Sequence, residues 1–143
     1  MKEEFLKIVE TEGDYYEWIH NDIKCCIERC PDNLHWCGYV FLEEKHEFYG
    51  GDKYLFDIDV HGGVTYNDMT DDNLYKIGFD CNHYNDLAYI LIKYPDSHTL
   101  RSPSSTYKTK QFVYDETNKM CDQLCKIKPK YIRDDKLKDI LLI

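Results

Sequence analysis

Two stretches of this chain alternate apolar and polar residues with a period of two, and they constrain its fold more than any other feature. In Phe56-Asp57-Ile58-Asp59-Val60-His61, the residues Phe56, Ile58 and Val60 fall on one side and Asp57, Asp59 and His61 on the other. In 75–82, Tyr75, Ile77, Phe79 and Cys81 oppose Lys76, Gly78, Asp80 and Asn82. That period belongs to a strand with one buried face. Strands are therefore predicted over 56–61 and 75–82, in a sheet with one wet face. Gly62-Gly63 interrupts the first run and Val64-Thr65-Tyr66 resumes it. Paired glycines inside such a pattern mark a bulge or a close backbone approach.

The remaining elements follow from period and punctuation. Val113, Thr117, Met120, Leu124 and Ile127 recur at helical spacing, which predicts a helix over 109–127, ended by Pro129. Phe5, Leu6 and Val9 predict a weaker helix over 1–12, stopped by Gly13. Residues 15–30 fit both a helical stripe (Ile19, Ile23, Cys26, Cys30) and an alternating strand (Ile23, Cys25, Ile27). The strand reading over 22–29 is preferred, because Pro31-Asp32-Asn33 then turns the chain into a second strand, Trp36–Leu42. Residues 43–53 read as a charged loop, 67–73 and 97–106 as polar loops, and 86–94 as a short helix or strand. The fold class is α+β: a mainly antiparallel sheet with one long C-terminal helix packed on one face, in a single domain over 1–143. The apolar end Ile140-Leu141-Leu142-Ile143 would cover a sheet edge or join a second subunit in a homo-oligomer.

Composition narrows the partners. The formal net charge of −9 argues against direct nucleic-acid binding and against docking on an anionic membrane. No run approaches the roughly 18 apolar residues of a spanning helix, and the first residues lack a basic start followed by an apolar stretch. The expected location is cytoplasmic, so the seven cysteines are expected reduced. Cys25, Cys26, Cys30 and Cys37 fit no common zinc-ribbon spacing and read as small hydrophobes. The 13 tyrosines suit a half-buried or ligand-lining surface.

The candidate functional surface combines 57–66 and 78–86. Asp57, Asp59 and His61 share one face of a predicted strand, and Asp80 lies on the matching face of another. Two aspartates in a strand need a reason, since Asp is depleted there. Asp59, His61, Asp80 and His83 are suitable ligands for a divalent metal such as zinc, manganese or iron, with Asp57 or Asp86 as a base. Gly62-Gly63 and Thr65 could offer an anion site, and Trp36, Tyr39 and Tyr66 could supply aromatic faces. Cys81 beside Asp80 is a candidate nucleophile. Lys53, Arg101, His61 and His83 are candidates to offset the acidic charge at an anion site. His20, His46 and His98 read as structural. The plainer alternative is that a wet sheet face carries polar residues anyway.

The order His35-Trp36-Cys37-Gly38-Tyr39-Val40, His46, Asp57-x-Asp59-Val60-His61-Gly62-Gly63-x-Thr65-Tyr66 and Gly78-Phe79-Asp80-Cys81-x-His83-x-x-Asp86 resembles a family of small uncharacterised proteins of tailed bacteriophages. The likeness covers about residues 35–86 and the later helix at 113–124. Glu47 stands where proline is expected in similar proteins. The resemblance implies action inside an infected bacterium and supplies no mechanism. Three functions fit. The first is a small binding protein that counters host defence by sequestering a nucleotide-derived immune signal. The second is a metal-dependent phosphoesterase-like hydrolase. The third is an acidic inhibitor that binds a host defence protein.

Overall fold

The computed structural model describes residues 2–51, 55, 57–94 and 104–126. The elements run α1 (Lys2–Glu12), β1 (Tyr15–His20), β2 (Ile23–Arg29), β3 (Trp36–Leu42), β4 (Tyr66–Met69), β5 (Tyr75–Asp80), α2 (Tyr89–Lys93) and α3 (Lys110–Lys126). The strands form one five-stranded sheet in the order β1-β2-β3-β5-β4, every neighbouring pair antiparallel. The α+β class expected from the sequence is found, with the long helix on one face of the sheet. No described helix is long and apolar enough to cross a membrane.

The ambiguity over 15–30 resolves into a hairpin. Asn21 and Asp22 both take positive φ, 53° and 64°. That is the two-residue turn whose twist matches a β-hairpin, and Asn and Asp tolerate it best after glycine. A helical stripe across 19–30 is impossible once these two residues reverse the chain. The strand after Gly62-Gly63 also shifts. It begins at Tyr66 and runs to Met69, into the stretch expected to be a loop. The segment 86–94 contains the short helix α2. The expected stop at Pro129 and the apolar end at 140–143 lie outside the described residues.

α3 seals the core. Val113, Thr117, Met120, Cys121 and Leu124 are buried along its stripe and meet Ile27, Trp36, Val40, Leu42, Ile77 and Phe79 from the sheet. Thr109 caps the helix through its Oγ1, which accepts the Phe112 N–H at 3.1 Å. The buried Thr117 hydroxyl is satisfied by the Val113 carbonyl at 2.7 Å. Close approach requires Gly38: a Cβ there would lie 2.3 Å from Thr117 Oγ1 and 2.5 Å from Phe79.

The predicted strand over 56–61 is not formed, and the reason is instructive. The period of two survives: Ile58 and Val60 are buried, while Asp57 and Asp59 are exposed. The Ile58 N–H turns back to the Leu55 carbonyl at 3.2 Å, and the backbone of Asp59 and His61 is partnered by α3 side chains. Gln123 accepts the Asp59 N–H at 2.7 Å and returns an amide hydrogen to the Asp59 carbonyl at 2.7 Å. Glu116 accepts the His61 N–H at 2.9 Å. A side-chain amide thus takes the place of a neighbouring strand. Phe56 lies outside the described residues.

Candidate functional site

The two segments 57–66 and 78–86 meet through the His61–Asp86 pair, the Thr65–Asp80 hydrogen bond and the His61–His83 ring contact, beside a second, local histidine–carboxylate pair. His61 Nε2 lies 2.9 Å from both oxygens of Asp86. Asp86 is buried, with 1% of its side chain exposed. It also accepts the His83 N–H at 2.9 Å and lies 3.0 Å from Lys108 Nζ. Burial raises its pKa, but the hydrogen bonds from His61, the His83 amide and Lys108 outweigh that and hold it down at about 2. Asp86 is therefore a carboxylate near neutral pH, and His61 must present Nε2 as a donor.

The second pair is Asp80 and His83, 3.3 Å apart. Asp80 also accepts the Thr65 hydroxyl at 2.9 Å and the Asn82 N–H at 3.0 Å. The two imidazoles sit edge to face with centroids 5.8 Å apart, and His61 packs similarly on Phe112 at 5.3 Å. Gly62 makes this contact feasible. It has φ +70°, and a Cβ on it would lie 2.2 Å from His83 Nε2. The Gly63 N–H donates to the Val60 carbonyl at 2.8 Å, so that amide closes the turn.

Other sequence candidates are placed elsewhere. Asp57 and Asp59 are exposed, and Asp59 lies 3.7 Å from Lys119, apart from the histidine pairs. The set Asp59, His61, Asp80 and His83 is thus split among different partners. Among the described residues, no three His, Cys, Asp or Glu side chains are arranged to hold a metal ion. Burial pushes the Cys81 thiol well up, which opposes a nucleophilic thiolate. His20 lies 2.8 Å from Asp122, and His46 Nδ1 accepts the Phe48 N–H at 3.1 Å, both structural roles. Lys53, His98 and Arg101 lie outside the described residues.

Trp36 corrects an expectation. The sequence places it as an aromatic platform beside Tyr39, but it is fully buried under α3. Its indole N–H donates to Glu12 at 3.1 Å, and the Arg29 guanidinium stacks 4.2 Å from its ring. Residues 36 and 39 are an odd number apart on one strand, so they cannot share a face. Tyr39 points to the opposite face, where strand register aligns Tyr39, Gly78 and Tyr66 in one row. The next row holds Lys24, Phe41, Lys76 and Asp68.

On this face a lysine sits among rings. Lys76 Nζ lies 4.0 Å from the Tyr39 centroid, 5.5 Å from Tyr66 and 5.6 Å from Phe41. Lys24 lies 4.7 Å from Phe41. Tyr39 and Tyr66 meet edge to face at 5.6 Å. Asp80 belongs to the same face, opposite Cys37. The Asp80–His83–Thr65 group therefore borders the aromatic row. Lys108, Glu116 and Gln123 escaped sequence reasoning. Glu116 and Gln123, seven residues apart, do mark one polar side of α3, but nothing local says what they hold.

No family model matches this chain, and no curated protein or solved structure matches it.

Proposed function

We propose that this chain is a small ligand-binding protein whose ligand lies on the sheet face opposite α3. The supporting observation is Lys76, whose ammonium is surrounded by the rings of Tyr39, Phe41 and Tyr66. A planar base can stack on an aromatic face that is sequence-tolerant and apolar, while an ammonium beside it meets a phosphate. Lys76 now lies 3.9 Å from Glu28. An incoming phosphate replaces that carboxylate as counter-ion, so the acidic net charge does not forbid an anionic ligand. Asp80, held by Thr65 and His83 at the border of the face, is an acceptor for amino groups on a base. The motif resemblance carries the expectation of an infected bacterium. In that setting the ligand is a nucleotide-derived immune signal, and the role is to sequester it.

Calorimetric titration with cyclic nucleotides and ADP-ribose derivatives tests this reading. A saturable heat is expected, with affinity falling about tenfold or more in Lys76→Ala and in Tyr66→Ala. A panel that gives no heat, or binding untouched by both substitutions, overturns it.

A further inference from the structure

We propose that β1 is the edge through which two copies of this chain join, antiparallel about a two-fold axis at Glu17. The inference is independent of the ligand. It starts from the hydrogen-bond phase of the strand. The Arg29 N–H donates to the Asp14 carbonyl at 2.8 Å, so the even-numbered residues of β1 exchange hydrogen bonds with β2. Tyr15, Glu17 and Ile19 turn their N–H and C=O groups outward. Among the described residues, β1 is an outermost strand of the sheet. Its sequence, Tyr15-Tyr16-Glu17-Trp18-Ile19-His20, contains no lysine or proline, the commonest guards of an open edge, and its one acid is Glu17. The opposite edge, β4, has only four residues and carries Asp68.

The outward phase limits the register. A two-fold axis perpendicular to the sheet must pair odd residues with odd ones, and centring it on Glu17 gives a self-complementary set. Tyr15 then lies opposite Ile19 of the other copy, an aromatic–β-branched pair on the face away from α3. Tyr16 lies opposite Trp18, an aromatic pair at a non-hydrogen-bonded position, where side chains come closest. Tyr15, Tyr16 and Ile19 are exposed, Ile19 to 67%. They are large apolar groups with no need to face water in a monomer. The two five-stranded sheets become one, and both Lys76 faces lie on the same side. The cost of this register falls on Glu17, which meets its own copy. Tyr15 OH donates to Glu17 at 2.8 Å and Lys24 lies 3.8 Å away, which offsets part of the repulsion.

Sedimentation velocity on the full chain, under reducing conditions and over a wide concentration range, tests the proposal. The chain is expected to dimerise. Ile19→Lys should be monomeric with an unchanged circular dichroism spectrum. Glu17→Gln removes the like-charge contact and should tighten the dimer about fivefold. Glu10→Gln, the same charge change on an exposed helix position, should leave it unaltered. A wild-type monomer throughout, or a dimer that survives Ile19→Lys, overturns the β1 edge. A Glu17→Gln variant that weakens the dimer, or behaves like Glu10→Gln, overturns the register, and it can be read even if Ile19→Lys misfolds.

Discussion

Glu12 caps the first turn of α3 from 98 residues away: its Oε2 accepts the Lys110 N–H at 2.8 Å. The same carboxylate accepts the Trp36 indole N–H at 3.1 Å and the Tyr107 hydroxyl, and lies 3.5 Å from Arg29. Arg29 is nearly buried, with 2% of its side chain exposed. One acid at the end of α1 therefore ties together the helix, the sheet and the loop before α3.

Removing that acid strands several donors. Glu12→Ala is expected to cost about 3 kcal/mol of unfolding free energy, because the Trp36 indole N–H, the Lys110 N–H and the Tyr107 hydroxyl lose their acceptor and the buried Arg29 guanidinium loses one of its two carboxylates. Urea denaturation followed by tryptophan fluorescence measures it. A loss within the range of an exposed glutamate substitution contradicts the role.

Asp86 should make the fold acid-sensitive. Its folded pKa of about 2 lies below the ordinary 3.8. A depressed carboxylate stabilises the folded state above its unfolded pKa and loses that contribution as pH falls through the folded value. About 2 kcal/mol is at stake, given the size of the shift. Glu12 is shifted the same way, as its hydrogen bonds outweigh its burial. Stability should fall between about pH 4 and pH 2, and the fall should be shallower in Asp86→Asn, which starts from a lower plateau. Equal slopes in the two proteins would count against the His61–Asp86–Lys108 arrangement.

Adjacent glycines should respond differently. Both have positive φ, +70° at Gly62 and +79° at Gly63. A Cβ at Gly62 collides with His83, whereas at Gly63 it meets nothing within 4 Å. Gly63→Ala should cost about 1 kcal/mol from backbone strain alone. Gly62→Ala should cost about 2–3 kcal/mol and displace the His83 ring. Thermal melts and the imidazole proton resonances of His83 report the two effects.

Gly38→Ala should be among the most damaging small substitutions. The added methyl points at Thr117 and Phe79 across the helix–sheet interface. A cost of about 2–3 kcal/mol is expected, since packed interiors do not yield freely. The double variant Gly38→Ala, Thr117→Ala should recover part of it, because removing the Thr117 Oγ1 relieves the nearest contact. Hydrogen exchange across α3 and β3 provides the readout.

Several features were legible in the chain because a local period dictates them. The apolar stripe of α3, the alternation of β5 and the Trp36–Leu42 strand all appear at or near their expected places. β1 was hidden by the competing helical spacing of Ile19, Ile23, Cys26 and Cys30, although Asn21-Asp22 carried the turn signal. The site was half legible. Gly62-Gly63 and the GFDC run did mark segments that meet, but Asp57 and Asp59 turn outward and Trp36 turns inward.

The sequence by itself determined that Ile58 and Val60 turn inward and Asp57 and Asp59 outward, because burial sorts apolar from polar side chains wherever they alternate. Only the tertiary structure decided what satisfies the backbone of Asp59 and His61. Gln123 and Glu116 on α3 do so, and no strand is built. It likewise decided that His61 finds Asp86 and that Thr65 finds Asp80. Side-chain periodicity is a local property of the peptide. The partner of a hydrogen bond is chosen by whichever distant group the packed core brings within reach, and no spacing along the chain encodes that distance.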